Sequence, residues 1–210
     1  NSGKWRLVGV NSRVSQENGI LYVSSSTPTG WDGSIRSNQT FNRNNDHTLI
    51  FDITILDITS AESSPRVMIG WGDVSDGSNS SYSGNAHAIY FHNNDFRLYE
   101  DSENISIGLE DNVLVNDKFR VVSKPNPDKG CRWQVFKYPN LSSPLWDVNS
   151  NTSDEANVDE FLDVGVWVLK DTRAFSVDYI EVTSPGGIST TIDGDLIHTG
   201  KIKSNNWNSS

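Results

Sequence analysis

Recognising a sugar takes flat aromatic faces for the apolar side of a pyranose ring, together with amide, carboxylate or guanidinium groups for its hydroxyls. Two stretches of this sequence combine those parts. Trp31 and Asp32 sit in S-T-P-T-G-W-D-G, a polar, Gly-bounded run that is expected to deliver the indole at a loop tip. Trp71 and Asp73 open a run of fifteen residues, GDVSDGSNSSYSGNA, with Tyr82 inside it and His87 and Tyr90 just after it. A connection this long within a compact domain is more often a functional or flexible loop than an ordinary turn. The competing reading for each aromatic is a strand-end residue that belongs to the core or its edge.

Other chemistries find less support. Hydrolysis of a glycosidic bond calls for a pair of carboxylates set across the scissile bond. The nearest approach to a pair, Asp52 and Asp57, is five positions apart and therefore on opposite faces of a strand, where solvent-facing alternation accounts for both. No G-x-S-x-G elbow is present for a serine nucleophile. His87 and His92, again five apart, cannot share a metal, and no H-E-x-x-H or Cys/His cluster occurs. Oxygen ligands of the kind calcium takes are offered by Asp73, Asp76 and Asn79, without a calcium-loop consensus. The expectation is a protein that is not an enzyme and needs no cofactor, with calcium the one ion its side chains could suit.

The elements that must position these residues read as strands. The clearest runs from Thr48 to Ile58, where Leu49, Phe51, Ile53 and Ile55 fall on one face and Thr48, Asp52 and Thr54 on the other. Similar segments are Lys4 to Val10, Gly19 to Ser24, Ser34 to Phe41, Arg66 to Trp71, Ala86 to His92, Asp95 to Tyr99, Lys118 to Ser123, Cys131 to Tyr138, Pro144 to Val148, Phe161 to Lys170 and Phe175 to Thr183. Asn18-Gly19 and Asn93-Asn94 supply hairpin turns, and Asp171-Thr172-Arg173 is expected to join the last two strands as a pair. Trp5, Trp133 and Trp167 alternate with apolar neighbours and are assigned to the core. With no convincing helix and no repeat, the natural solution is an all-β sandwich or jelly roll of two antiparallel sheets over residues 1–184.

Composition narrows the partners. A formal charge of -10 over 210 residues repels phosphate backbones, so neither nucleic acid nor anionic membrane is an expected partner. No stretch approaches the ~18 apolar residues of a membrane-spanning helix. The single cysteine, Cys131, leaves no intrachain disulfide and lies in an apolar strand pattern, as a buried thiol would.

Residues 185–210 differ from the rest. Ile188, Ile192, Leu196, Ile197 and Ile202 recur among Gly, Thr, Ser and Asp with neither helical nor strand periodicity. Such a segment orders along another surface or by winding with copies of itself. Its pattern I-D-G-D-L-I-x-T-G-x-I, from Ile192 to Ile202, resembles a segment of tailed-bacteriophage tail-tip and tail-fibre host-specificity proteins, where it connects a globular head to a trimeric stalk. That resemblance implies a virion protein of the phage tail and a homotrimer in contact with other tail proteins; a host-surface carbohydrate as receptor follows only together with a lectin-like sandwich.

A second resemblance concerns the sandwich. The W-x-L-V strand at Trp5, the G-I-L-Y-V-S strand at Gly19 and the F-S-V-D-Y-I-E-V strand from Phe175 to Val182 are similar to the concanavalin-A-like lectin and glucanase sandwich, including the laminin-G-like domains. In that family the first and last strands are neighbours. Its glycanases carry E-x-D-x-E or E-x-D-x-x-E, with two acids on one strand face, and this chain lacks both patterns. The resemblance therefore implies a lectin-like binding domain, with a spacer domain and a depolymerase as the other readings.

Overall fold

A computed structural model of the chain describes residues 4–8, 12–17, 20–25, 31–56, 66–75, 85–92, 95–100, 103–106, 113–127, 130–150, 161–169, 175–184 and 189–193. The described residues form sixteen β-strands and one 3-10 turn, Arg43–Asn45, and contain no α-helix. Sheet A has the order β1 (Trp5–Val8), β4 (Trp31–Ser37), β14 (Phe161–Leu169), β7 (Arg66–Asp73), β8 (Asn85–His92), β9 (Asp95–Glu100) and β10 (Glu103–Ser106), with β5 (Phe41–Asn42) also paired to β14. Sheet B runs β13 (Trp146–Asn149), β12 (Cys131–Lys137), β11 (Lys118–Pro125), β6 (Thr48–Ile55), β15 (Phe175–Thr183), β3 (Ile20–Ser25) and β2 (Ser12–Glu17), with β16 (Ser189–Asp193) also paired to β15. Every pairing is antiparallel.

Period-two patterning sends one face of each sheet into a shared core. Leu49, Phe51, Ile53 and Ile55 of β6 are all buried, as the alternation from Thr48 requires. They are joined by Phe119 and Val121 of β11 and by Cys131, Trp133 and Val135 of β12. From sheet A come Val67, Ile69 and Trp71 of β7, Phe91 of β8, Phe96 and Leu98 of β9, and Leu162, Val164 and Val166 of β14. The rings of Phe91 and Phe96 meet edge to face at 4.4 Å, and Phe96 meets Phe119 of the opposite sheet at 4.8 Å. Burial pushes the Cys131 thiol well above its ordinary pKa, so it behaves as the small hydrophobe its strand pattern implied.

Several expectations are corrected by the topology. Trp31 and Asp32 open strand β4 instead of capping a loop. The last two long strands do not form a hairpin: β14 lies between β4 and β7 in sheet A, whereas β15 lies between β6 and β3 in sheet B. Period two marks a strand as half-buried but is silent on which sheet receives it. The opening strand β1 pairs with β4 in sheet A, so it is not the neighbour of β15; that place is held by β3, whose Leu21 lies opposite Val177. Ser12–Glu17, not read as a strand from sequence, pairs with β3 across Asn18-Gly19. Asp52 does face outward from sheet B but is not solvated: Arg120 donates to both of its oxygens at 2.8 and 3.0 Å, and the Tyr138 hydroxyl donates at 2.8 Å.

For the tail from Ile188 onward, winding with copies of itself predicts order only in an oligomer, the alternative being order along another surface. Its residues Ser189–Asp193 instead form β16 along β15, with Ile192 opposite Ile180. The reason is backbone satisfaction: β3 reaches β15 only at Val177, which leaves the edge from Tyr179 to Thr183 open to another strand. Residues 194–210 lie outside the described residues, as do Asp57, Asp76, Asn79 and Tyr82.

Two outcomes check this packing. Phe51→Ala removes a fully buried ring and is expected to destabilise the domain by about 3 to 5 kcal/mol in denaturant titration. His47 is half-buried beside β6, its ring edge-on to Phe41 at 5.3 Å and its Nδ1 2.9 Å from Ser184 Oγ. Burial lowers its pKa, against the opposing influence of the Thr183 backbone and Asp46. A depressed histidine pKa means that the unfolded chain binds the proton more tightly, so the stability contribution is present above the unfolded value and lost as pH falls below it. Melting temperatures measured on either side of the ordinary histidine pKa of 6.5 should therefore fall less on acidification in His47→Gln than in the parent.

Candidate functional site

The structure separates the residues singled out above. Trp31 and Tyr90 project from β4 and β8 onto the outer face of sheet A, where their rings meet at 5.7 Å and 57°. Trp31 is half-buried, and the side chain of Asp32 lies outside the described residues. Trp71 points the other way. It is fully buried between the sheets, its Nε1 donates to Ser123 Oγ at 2.9 Å and its ring abuts Phe41 at 5.9 Å, so it has no face to offer a ligand. Asp73 closes β7, with Oδ1 accepting at 2.6 Å from both the backbone N–H and the hydroxyl of Ser75.

His87 is also interior, because residues three apart on one strand, such as 87 and 90, fall on opposite faces. Its Nε2 lies 2.9 Å from Nη2 of Arg43 and its Nδ1 lies 3.3 Å from Oε1 of Glu100. A guanidinium only donates, so Nε2 accepts and the ring proton sits on Nδ1, facing Glu100. Arg43 Nη1 donates further to the carbonyls of Asn126 and Gly130 at 3.0 and 3.2 Å, and the Ser150 hydroxyl donates to Glu100. This is a buried polar plug in which each group holds another. It ties the Arg43 turn, β8, β9 and the β11–β12 connection together.

The outer face of sheet A is where chemistry-bearing groups collect. In register across the sheet, Arg36, Gly165, Gly70, Ala88 and Tyr99 form one row, and Ser34, Trp167, Met68, Tyr90 and Arg97 form the next. Met68, Ala88, Tyr90, Tyr99 and Trp167 make a second buried cluster, against which Trp31 packs. The bare positions make this possible. A Cβ at Gly165 would run into the indole of Trp167, and one at Gly72 would run into Asp163 and Arg36.

At the β1 end of these rows an acid sits between two arginines. Arg36 is fully buried and donates from Nε to both oxygens of Asp163 at 3.1 and 2.9 Å and from Nη2 to Oδ1 at 2.8 Å. Arg6 donates from Nη2 to Oδ2 at 2.6 Å while leaving 33% of its side chain exposed. Each arginine also reaches a backbone carbonyl, Arg36 that of Asp73 and Arg6 that of Ser37. Burial pushes the Asp163 carboxyl above its ordinary pKa, against the downward pull of Arg36 and then Arg6. The Arg36 guanidinium lies 5.6 Å from the Trp167 ring centroid, which links the charged group to the aromatic shelf.

Sequence reasoning missed Arg6, Arg36 and Asp163, and it placed Trp167 in the core without anticipating that it covers the far face. The signal was present in F-L-D-V-G-V-W, where one carboxylate and one glycine interrupt an apolar run at outward positions. Of the groups offered to calcium, Asp73 is engaged by Ser75. Among the described residues, no three His, Cys, Asp or Glu side chains gather as a metal cluster.

No protein-family model and no curated protein matches this sequence. Solved structures do. A protein of unknown function from Shewanella oneidensis MR-1 matches with a TM-score of 0.58 at 11% identity, covering 86% of this chain and 78% of its own. The seed lectin of Lotus tetragonolobus matches with a TM-score of 0.57 at 10% identity, covering 92% and 96%. A β-1,3-glucanase from Mycobacterium marinum matches with a TM-score of 0.50 at 10% identity, covering 87% and 92%. At such identities the likeness establishes the fold alone: a jelly-roll sandwich like that of the concanavalin-A-like lectins and glucanases.

The outer-face site makes its own demands on stability. Asp163→Asn leaves two guanidinium groups facing a neutral amide in a buried setting and is expected to destabilise the domain by about 3 to 5 kcal/mol. Gly165→Val, which displaces the indole of Trp167, is expected to cost about 1 to 3 kcal/mol. Both are read by denaturant titration against the parent.

Proposed function

We propose that this sandwich is a non-catalytic glycan-binding module, and that residues on the outer face of sheet A form its ligand site. The observation that carries the reading is the aromatic shelf of Trp31 and Tyr90, continuous through Trp167 with the Arg6, Asp163 and Arg36 group, on a fold shared with a seed lectin. A half-buried indole packed against a buried cluster offers a rigid face to a pyranose, and its neighbours hold it in place before any ligand arrives. Asp32, next to Trp31 in the strand, is the adjoining candidate for the sugar hydroxyls.

The carrier is proposed from the tail. The segment from Ile192 to Ile202 resembles the head-to-stalk connection of phage tail-tip and tail-fibre proteins. On that basis the domain is a host-attachment module of a phage tail, displayed as a homotrimer on neighbouring tail proteins, with a host-surface carbohydrate as its receptor. Strand β16 fits a role as the last element of the head before a stalk begins.

Hydrolysis is the second reading, favoured by the likeness to a glucanase. Against it, Asp163 has both oxygens occupied by guanidinium groups, whereas a glycosidase needs an acid and a base or nucleophile facing the same bond. Reducing ends released from a host polysaccharide by the pure protein would favour the enzyme.

Trp31→Ala is expected to weaken glycan binding by ~0.5 to 1.5 kcal/mol at a single site, and by more where linked copies bind together. Its melting temperature should fall by no more than a few degrees, since the indole is half-exposed. Glycan-array signal and thermal unfolding of the parent and variant check this; early unfolding with binding retained by the folded fraction would make Trp31 a packing residue only. A chain ending at Asp193 keeps β16 and should be monomeric by light scattering. A trimer from that truncation would move the interface to the sandwich.

A further inference from the structure

The polar plug inside the sandwich contains an imidazole set between a cation and an acid. His87 stands opposite Trp71 of β7 and Glu100 of β9, so strand register alone puts the ring beside a carboxylate in the interior. Arg43, His87 and Glu100 are only 2%, 5% and 1% exposed, so none of them can turn to bulk water without a rearrangement. Arg43 Nη2 donates to His87 Nε2 at 2.9 Å, and on the other side Nδ1 lies 3.3 Å from Glu100 Oε1 without a hydrogen bond. Arg43 and Glu100 have further partners of their own, and the imidazole is the group that links them.

A neutral ring suits that place and a charged one does not. A guanidinium has no lone pair to give, so Nε2 must be bare to accept from it. Protonation puts an N–H on Nε2, which turns the 2.9 Å contact into a donor facing a donor and a cation facing a cation, away from water. The same proton strengthens the pull between Nδ1–H and Glu100, whose Oε1 the Ser150 hydroxyl already holds. The charged ring is thus drawn toward β9, and Arg43 is the group driven off. Of the other described neighbours, β12 presents the Cys131 thiol, which burial pushes up and keeps neutral, and β7 presents the uncharged Trp71. The next acid along β7, Asp73, accepts from Ser75.

Arg43 fastens more than the ring. It lies in the turn that crosses from β5 of sheet A to β6 of sheet B, and its Nη1 reaches the carbonyls of Asn126 and Gly130 in the β11–β12 connection. That connection is tightly built: Gly130 has φ +70° and no room for a Cβ against Ser150, the Asn126 N–H donates to the Gly130 carbonyl at 3.0 Å, and the Cys131 N–H donates to Ser150 Oγ at 2.9 Å. We propose that Arg43 and His87 form an acid-released clasp: with His87 neutral the crossing turn is tied to the β11–β12 connection, and protonation of His87 expels Arg43 and frees that end of the sandwich. The released form takes the proton and the clasped form does not, so the balance moves toward release as pH falls. The core around Leu49, Phe51 and Val121 uses none of these groups and stays packed.

The test follows the full 210-residue chain by NMR during acidification, reading the His87 ring nitrogens and, at each pH, amide hydrogen exchange corrected for its intrinsic pH dependence. Before acidification the ring is expected as the Nδ1–H tautomer. Its protonation should raise exchange at Asn126 and Cys131 by at least about tenfold while the amides of β6 keep their protection. His87→Gln, whose side-chain oxygen accepts from Arg43 at any pH, should show no such rise, and His47→Gln should keep it. Unchanged exchange at Asn126 and Cys131 once the ring is protonated would overturn the clasp, as would a ring that stays neutral until the whole domain unfolds. A rise of equal size in folded His87→Gln would assign the effect to another group and overturn it too. Ring titration and exchange are read on the same parent sample, which decides the matter even if His87→Gln fails to fold.

Discussion

The arrangement depends on one constraint: two sheets must each hide a continuous apolar face, and they can do so only against one another. Leu49, Phe51, Ile53 and Ile55 on sheet B need Ile69, Trp71, Val164 and Val166 on sheet A, and neither set is covered without the other. Everything polar inside the sandwich is shaped by that demand. Trp71 has its indole N–H accepted by Ser123, and in the Arg43, His87, Glu100 and Ser150 group Arg43 reaches His87 and backbone carbonyls and Ser150 donates to Glu100, while His87 Nδ1 approaches Glu100 without a hydrogen bond.

Sheet A also carries an apolar cluster on its far side. There Trp167 is laid over Gly165, with Met68, Tyr90 and Tyr99 packed around it. The far side of sheet B is instead a lattice of paired charges, Arg120 with Asp52, Lys118 with Asp178 and Arg132 with Asp147. Arg120 lies within 5.7 Å of the Tyr138 and Tyr179 rings, and burial with the Asp52 hydrogen bond moves the Tyr138 hydroxyl up to about 12. An exposed pair such as Arg132 with Asp147 adds little stability, whereas the outer face of sheet A carries an apolar cluster beside the Arg6, Arg36 and Asp163 group.

The buried Arg36 and Asp163 pair sharpens that contrast. Taking both ions out of water is expensive, and an apolar replacement of similar volume is often no worse for stability. Here both members are fully buried, and Gly72 leaves the space that lets them lie against the strand. Asp163 also accepts from Arg6, and the Arg36 guanidinium lies over the Trp167 ring, so the cost of the pair is set against the positioning of the face beside it.

The sequence by itself determined that this is an all-β chain with an apolar face on each principal strand, because alternation is a local property that survives any topology. It located β6, β7, β11, β12 and the β8–β9 hairpin, the last through the two-residue Asn93-Asn94 connection, and it assigned Cys131 and Trp133 to the interior. Only the tertiary structure decided which sheet takes each strand. β14 and β15 look like partners in sequence but join opposite sheets, since pairing is chosen by which edge is left open and which core face needs covering. The same holds for the site. Trp31, Trp71, His87 and Tyr90 are equivalent in the sequence as aromatic or polar residues near a glycine-rich run, yet strand parity sends Trp71 and His87 inward and Tyr90 outward to meet Trp31. Arg6, Arg36 and Asp163 are separated by up to 157 positions and become one group only because β1, β4 and β14 lie side by side, a juxtaposition no local pattern encodes.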